Sequence, residues 1–445
     1  MASRRLAYEV LTLVINHGAY ASLALDEKLR ESTIPAVDRR LAARLVYDTL
    51  DSLSYLDFAL SHVMARPDDS DQKLMNVLRL AACQILLEDR IPESAATNTA
   101  VQLCKEIGLE GLAGVCNGIL RNLLRDVENI PWPDRKEEPV RYLSVLNSVP
   151  EWLVERYIED WGEENAAAML GVRAHNKAVT IRRNLLRGSD EQFEAMLAKK
   201  VWTVEKGEIP HTWNVKNALN LGEDNDFKNG EFSIQSEGSI LACCALNPKR
   251  GWTVLDACAA PGGKSCLMAE MMGGTGRVQA WELHPHRTEL IEAQKKRLHL
   301  ENVRPMNLDA AKPRENLNQT MDAVLLDAPC TGTGDLADKP DIKLRLKEEN
   351  VAELVKTQAE LLDTVSAYVK EGGVLVYSTC SVLREENGRQ VEAFLQRHPE
   401  FEISPLPDTV PEKWRTRADE TGLQLLPHVD GAGFYLCRMK RKYSV

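Results

Sequence analysis

The sequence has 445 residues, of which 44% are hydrophobic and 27% charged, and it carries a formal net charge of −11. This composition is typical of a soluble globular protein, and at roughly 100–200 residues per domain the length predicts two to four domains. The acidic balance counts against a protein that holds nucleic acid by bulk electrostatics. A nucleic-acid partner would need local basic patches or recognition by shape.

The ten cysteines indicate a reducing compartment. They lack the dense spacing of a disulfide scaffold and form no paired CxxC motif, so we expect reduced thiols, no metal site and a cytoplasmic protein. His284 and His286 lie near Glu282 but are expected to be surface histidines. Glu9 interrupts an apolar run, which predicts an amphipathic helix instead of an export signal. No segment approaches the ~20 apolar residues of a membrane helix, and we expect no membrane partner.

The first part of the chain has a helical pattern. From residue 1 to about 128, apolar residues recur at three- and four-residue spacing, which predicts an all-helical domain over residues 1–130. Asp38 precedes the stretch RRLAARLVY and is predicted to cap a helix. The segment PWPDRKEEP (131–139) has three prolines and a charge run, which predicts a linker. Residues 140–232 mix helical and strand-like stretches, which predicts a small α+β domain.

Residues 233–445 have the pattern of an α/β domain. Helical segments alternate with short apolar runs, namely TVLDA (253–257), RVQAWE (277–282), MDAVLLDA (321–328) and GVLVYST (373–379). Such alternation predicts a parallel sheet with helices on both faces, as in Rossmann-like folds. The segment GFYLCRMKR (433–441) predicts a late strand that joins the sheet in the antiparallel direction.

In a sheet of this kind, ligands bind outside the carboxyl ends of the strands. Four polar segments fall at predicted strand ends: Asp256–Lys264, Glu282, Asp327–Cys330 and Ser378–Cys380. Their convergence on one crevice predicts the functional site.

The segment DACAAPGGK ends a strand and opens a helix. Its glycines let a ligand approach the backbone, and the helix N-terminus offers free N–H groups. The alternative is a tight turn without a ligand. It matches neither the GxGxxG nor the GxxxxGK pattern, so neither a dinucleotide nor a triphosphate is indicated. Glu282 stands where Rossmann-like folds place a carboxylate for ribose hydroxyls, and Asp309 is either an adenine contact or a surface residue.

Two cysteines fall at neighbouring strand ends. Asp327 and Cys330 are three positions apart, and Cys380 ends the buried run GVLVYSTC. A single cysteine there would more often be a core residue, but two thiols with a carboxylate between them favour a reactive site. A free thiol with a pKa of about 8.5 is mostly protonated at neutral pH, so a nucleophilic cysteine would need positive charge nearby.

These motifs resemble those of a known family. DACAAPGGK (256–264), DAPCTGTG (327–334) and YSTC (377–380) are similar to the three central motifs of the RNA cytosine-5 methyltransferases. ESAATNTAVQL (93–103) and GVCNGILRNLLR (114–125) resemble a NusB-like RNA-binding domain. The resemblance covers nearly the whole chain and implies a class I methyltransferase domain over 233–445, with S-adenosylmethionine as the methyl donor.

The resemblance also implies a role for each residue. Cys380 would attack C6 of a cytosine, Asp327 would hydrogen-bond the base near N3, and Cys330 would assist elimination of the product. Glu282 would bind the ribose of the cofactor and Asp309 its adenine. The residues expected around the remainder of the cofactor are Cys258, Ala259, Ala260, Pro261, Gly262, Gly263, Lys264 and Asp327.

The expected substrate is 16S ribosomal RNA, bound by a monomer. Transfer RNA or another ribosomal RNA is the alternative with the same chemistry, and a non-catalytic RNA-binding or assembly factor is the alternative from another class. The family often has two arginines where this chain has Ala337 and Asp338, so phosphate binding is expected to shift to Lys339, Lys343 and Arg345. Four arginines of the helical part form either a basic patch or a solvated face: Arg39, Arg40, Arg121 and Arg125.

Overall fold

The computed structural model describes residues 1–67, 69–88, 90–173, 178–218 and 221–444. The chain forms two compact units. The first contains Met1–Arg173 together with Asp335–Glu348, and the second contains Ala174–Gly334 together with Glu349–Val445. None of the helices described has the length and apolar character needed to span a bilayer.

The first unit is helical, as the sequence pattern predicts for residues 1–130. It also contains three helices between residues 139 and 170, a range predicted to lie almost entirely in the small α+β domain. Its core lies around α5, whose residues Leu78 and Ala82 are fully buried against Leu11 and Leu45. Asp71 begins α5 by accepting hydrogen bonds from the backbone N–H groups of the first turn. The helices are α1 (Ala2–His17), α2 (Ala21–Glu31), α3 (Ala36–Asp51), α4 (Leu53–Val63), α5 (Gln72–Leu86), α6 (Glu93–Glu106), α7 (Ala113–Asp126), α8 (Pro139–Asn147), α9 (Glu151–Trp161) and α10 (Glu163–Leu170).

The predicted cap at Asp38 is wrong. Helix α3 begins two residues earlier, at Ala36, because Pro35 takes the N-cap position with a φ of −59°. Asp38 lies in the first turn instead, where its carboxylate accepts a hydrogen bond from the Ser3 hydroxyl at 2.6 Å.

The segment Asp335–Glu348 is anchored in the first unit by a buried lysine. The Lys343 ammonium donates to Asp51 Oδ1 at 2.6 Å, to the Asp51 carbonyl at 3.0 Å and to the Asn147 carbonyl at 2.8 Å. All three of its protons are therefore used. Burial lowers the pKa of Lys343, although Asp51 opposes that shift.

The prediction that this segment binds phosphate is therefore wrong for Lys343, whose side chain is only 4% exposed. Lys339 forms an exposed ion pair with Asp335 at 2.7 Å. Arg345 pairs with Asp341 and lies over the Tyr20 ring at 4.3 Å. Lys343 can be buried because acceptors at the ends of α3 and α8 replace the water molecules that its ammonium group would otherwise bind.

The second unit begins with a small antiparallel sheet in the order β2-β3-β1-β4. Its core is aromatic: Phe193 from α11 packs on Trp213, with ring centroids 4.6 Å apart, and Phe232 lies beside them. The elements are β1 (Val179–Arg183), α11 (Asp190–Leu197), β2 (Thr203–Lys206), β3 (Thr212–Lys216), α12 (Asn225–Lys228) and β4 (Phe232–Ile234).

The second unit also contains an eight-stranded sheet in the order β10-β12-β9-β8-β5-β6-β7, with β11 paired to β12. Strands β5 to β9 are parallel, and β12 joins β9 in the antiparallel direction. The strands are β5 (Thr253–Asp256), β6 (Arg277–Glu282), β7 (Val303–Asn307), β8 (Met321–Asp327), β9 (Val369–Thr379), β10 (Phe401–Ile403), β11 (Leu423–Leu425) and β12 (Phe434–Arg441). The Rossmann-like prediction and its late antiparallel strand are confirmed.

Helices cover both faces of this sheet. Val254 and Leu255 point to opposite faces of β5 and are both fully buried, which explains why the strand is a continuous apolar run. The helices are α13 (Glu237–Leu246), α14 (Gly263–Met271), α15 (Pro285–Arg297), α16 (Glu348–Ser366), α17 (Gly388–Arg397), α18 (Glu412–Arg415) and α19 (Pro427–Asp430).

The strand order reverses at β5. The chain runs from β5 to β6 and β7 on one side and then returns to β8 and β9 on the other. A crevice forms where neighbouring connections diverge in this way, outside the carboxyl ends of the strands. Asp256, Glu282 and Asp327 are the last residues of β5, β6 and β8 and lie at that edge.

The buried lysine leads to a stability prediction. Lys343→Ala should lower the free energy of unfolding of the first unit by about 3 kcal/mol, because it removes one partner from a buried ion pair. Lys339→Ala is the control: it breaks an exposed pair in the same segment and should cost about 0.5 kcal/mol. Urea denaturation followed by circular dichroism measures both, and equal effects of the two variants would contradict the role assigned to Lys343.

Candidate active site

Asp327 links three parts of the second unit. Its Oδ2 accepts a hydrogen bond from the Lys264 ammonium at 2.6 Å, and its Oδ1 accepts one from the Ser378 hydroxyl at 2.7 Å. Lys264 lies in the first turn of α14, and Ser378 pairs with Asp327 in the parallel register of β8 and β9. Burial by itself lowers the pKa of Lys264, but the Asp327 carboxylate outweighs it, so the net pKa is raised and the lysine stays charged.

The two predicted thiols are in contact. Cys330 Sγ and Cys380 Sγ are 3.2 Å apart, and both cysteines are free and partly buried. The hydrogen bond to Cys380, burial and the nearby Glu386 carboxylate all raise the pKa of the Cys330 thiol. Cys330 therefore keeps its proton beside the Cys380 sulfur.

A buried carboxylate supports the Cys330 loop. Glu386 accepts hydrogen bonds from the Thr331 backbone N–H at 2.9 Å and from the Thr331 hydroxyl at 2.5 Å. The Gln358 side chain donates to Glu386 at 3.0 Å and to the Pro329 carbonyl at 2.9 Å. Sequence reasoning missed Glu386 and Gln358, and the only signal was the acidic pair that follows the YSTC motif.

The glycine segment forms a compact turn between β5 and α14. Gly262 has a φ of 104°, and a Cβ there would lie 3.1 Å from the Ile291 Cα, so glycine is required. The Ala259 N–H donates to the Trp281 carbonyl at 2.8 Å, which ties the turn to β6. The Ala260–Pro261 peptide bond is cis. Burial raises the pKa of the Cys258 thiol, which therefore stays protonated.

Glu282 and Asp309 lie after the next two strands. Glu282 is 4% exposed, and its Oε1 accepts the His284 N–H at 3.0 Å. Its Oε2 has no hydrogen-bond partner within the described ranges and is available to a ligand. Asp309 bonds within its own turn, to the Ala311 N–H at 3.0 Å and to Lys312 at 3.6 Å. No described contact joins it to Asp327 or the thiols.

Asp256 is a fully buried carboxyl at the end of β5. Its Oδ2 accepts the Ser265 hydroxyl at 2.6 Å, while its Oδ1 has no hydrogen-bond partner among the described residues. Burial raises the pKa of Asp256 to about 7, and the Glu282 and Asp327 carboxylates add to that shift. The Asp256 carboxyl therefore changes its charge near neutral pH.

The remaining residues singled out in the sequence have surroundings of their own. His284 and His286 are exposed, as expected for surface histidines. Within the described parts of the chain, no cluster of three or more His, Cys, Asp or Glu side chains is arranged to hold a metal ion. Arg39 donates to the Ser32 and Ile34 carbonyls, and Arg125 donates to Asn122. The Arg39 side chain thus stabilises a turn within the first unit, and the basic patch of the helical part stays a prediction.

The Rossmann-like fold and the crevice at its strand ends are those of a class of methyltransferases. Three family models match: the 16S rRNA methyltransferase RsmB/F over residues 243–440, the NusB family over 1–125, and the RsmF/B-like ferredoxin-like domain over 149–221. Strands β1 to β3 of the small antiparallel sheet lie within that ferredoxin-like match.

Relatives of the same kind match over the full length. The chain is 36% identical to the probable ribosomal RNA small subunit methyltransferase B of Bacillus subtilis (strain 168), covering 99% of this chain and 98% of that protein. It is 28% identical to ribosomal RNA small subunit methyltransferase B of Pasteurella multocida (strain Pm70), covering 100% and 97%. The crystal structure of PH0851 is similar with a TM-score of 0.83, 25% identity and 99% coverage of both chains. The chain belongs to the RsmB/F family of 16S rRNA methyltransferases.

The buried Asp256 carboxyl predicts a pH dependence. Because its folded pKa of about 7 exceeds the unfolded value, its contribution to stability is full below about pH 4 and is lost as the pH rises towards 7. Asp256→Asn does not titrate. Its stability relative to the wild type should therefore rise by about 2–3 kcal/mol between pH 5 and pH 8.

Urea denaturation at the two pH values, without cofactor, measures this difference. The exposed Glu289→Gln is the control and should follow the wild type at both values. A parallel pH dependence of Asp256→Asn and the wild type would show that Asp256 does not titrate in this range.

Proposed function

We propose that this protein transfers the methyl group of S-adenosylmethionine to C5 of a cytosine in 16S ribosomal RNA, through a covalent bond between Cys380 and C6 of the base. The observation that supports this most strongly is the contact of two thiols at 3.2 Å beside a carboxylate at the ends of β8 and β9. The family membership supports the methyl donor and the kind of RNA.

The residues of the β5–α14 turn fit the cofactor. The free Glu282 Oε2 offers an acceptor to a ribose hydroxyl, and Gly262 and Gly263 leave the backbone open to close approach. Cys258, Ala259, Ala260, Pro261 and Lys264 complete the proposed binding residues on this side, with Asp327 beyond them and Asp309 on the adenine side. Bound there, S-adenosylmethionine would supply an electrophilic methyl group on its sulfonium.

Cys380 is the proposed nucleophile because the raised pKa of Cys330 keeps that thiol protonated. Cytosine C5 reacts poorly with electrophiles, and addition of the Cys380 thiolate to C6 makes C5 electron-rich. The new bond joins Sγ to C6, and the electron pair of the C5–C6 double bond moves towards C5 and N3. Asp327, held in place by Lys264 and Ser378, accepts a hydrogen bond from the N4 amino group, next to N3 on the base edge.

Cys330 acts in the elimination. After C5 has taken the methyl group, its proton passes to solvent and the electron pair restores the C5–C6 double bond. The C6–S bond breaks, and its electrons return to Cys380 Sγ. The Cys330 thiol, 3.2 Å away, donates a hydrogen bond that stabilises this leaving thiolate. The proton stays on Cys330 throughout, so the thiol pair returns to its starting state.

The proposed substrate must present an unpaired or flipped cytosine, because C6 of a stacked base is not open to attack. We assign RNA binding to a helical domain over 1–130 and to a small domain over 140–232, with the methyltransferase domain over 233–445, and we propose that the protein acts as a cytoplasmic monomer. The NusB family match supports the first of these assignments.

Methyl transfer from labelled S-adenosylmethionine tests the proposal. Unmodified 16S ribosomal RNA should be labelled at a single cytosine, and Cys380→Ala should lose the label by at least about a thousandfold, because it lacks the nucleophile. Cys437→Ala, which removes a buried thiol of β12, is the matched control and should keep activity. Label in transfer RNA alone would contradict the substrate, and an active Cys380→Ala would contradict the mechanism.

A further inference from the structure

The Glu386 carboxylate supports the loop that carries Cys330 but takes no part in the proposed reaction. It is fully buried, and an ionised carboxylate in such a position is costly unless hydrogen bonds replace its water. Three donors do so, and two of them belong to Thr331, the residue directly after Cys330. Because the buried Glu386 carboxylate needs these hydrogen bonds, the turn at Thr331 is held in a fixed position.

The residue before Cys330 is tied to the same group. The Gln358 amide donates one hydrogen bond to Glu386 and another to the Pro329 carbonyl. Cys330 thus lies between two residues whose backbone atoms are both held by the buried Glu386–Gln358 pair. With both neighbours fixed, the direction of the Cys330 side chain towards Cys380 is fixed as well.

We propose that Glu386 is a positioning residue for the elimination step, holding the Cys330 thiol where it can donate to the departing Cys380 sulfur. This inference rests on the proposed function, because it requires the two thiols to have separate roles. The negative charge of Glu386 serves the same end, since an anion at Cys330 is disfavoured beside a buried carboxylate. The Glu386 carboxylate therefore helps the Cys330 thiol to keep its proton.

Accumulation of the covalent protein–RNA adduct distinguishes positioning from general support. Each variant is incubated with S-adenosylmethionine and unmodified 16S ribosomal RNA, and the adduct is measured by denaturing electrophoresis. Cys330→Ala should accumulate adduct because elimination is impaired. Glu386→Ala should do the same, by about tenfold over the wild type, since a charged hydrogen-bond partner is lost. A merely structural role would instead lower adduct and methyl transfer together.

Two further variants separate geometry from folding. Glu386→Gln keeps an acceptor for the Thr331 N–H and offers an amide N–H to the Thr331 hydroxyl oxygen. It should therefore restore most of the release of product from the adduct. Glu392→Ala is the matched control: it removes an exposed carboxylate of α17, and it should behave as the wild type. If Glu386→Ala does not fold, Thr331→Val removes one donor of the same clamp and should raise the adduct severalfold.

The outcomes are distinct. Adduct in Cys330→Ala but wild-type levels in Glu386→Ala and Thr331→Val would overturn the positioning role alone. No adduct in Cys330→Ala would overturn the proposed roles of the thiols, and this inference with them.

Discussion

The chemistry of this protein depends on the parallel register of β8 and β9. Pairing of Asp327 with Ser378 brings the loop after one strand against the end of the other, so that two sulfurs lie 3.2 Å apart. At this distance the two thiols are in direct contact, and the surroundings of Cys330 keep its proton in place. A shift of one residue between the strands would turn the side chains to opposite faces and separate the pair. The contact between the two proposed reacting thiols is therefore a product of the sheet itself.

The crevice is acidic, and this suits the ligand proposed for it. Asp256, Glu282 and Asp327 close three neighbouring strands, and these three carboxyl groups face two cations: Lys264 pairs with Asp327, and Arg287 lies 3.6 Å from Glu282. A surplus of negative charge favours a cationic ligand, and the sulfonium of S-adenosylmethionine carries such a charge. The same balance is unfavourable for a phosphate backbone. RNA is expected to be held elsewhere on the molecule, with only the target base entering the crevice, in agreement with the net charge of −11.

The sequence predicted those features that depend on local pattern. Alternating apolar strands and helices predicted a parallel sheet with helices on both faces and a late antiparallel strand, and the polar strand ends pointed to Asp327, Cys330 and Cys380. Features that depend on distant partners were missed. Lys343 lies in a polar stretch and was expected at the surface, but its acceptor Asp51 is 292 positions away. Glu386 is buried because two of its three donors lie on a loop 55 positions earlier and the third lies on α16, 28 positions earlier. No periodicity within either segment contains that information.

The most direct test of the account is to identify the cysteine that bonds to the base. RNA containing 5-fluorocytosine at the target position traps the adduct, because fluorine at C5 cannot leave as a proton does. After incubation with S-adenosylmethionine and digestion, mass spectrometry of the cross-linked peptide should find the nucleotide on Cys380, with Cys330 as a free thiol. A nucleotide on Cys330, or full methyl transfer to natural RNA with no adduct trapped on either cysteine, would contradict the assignment.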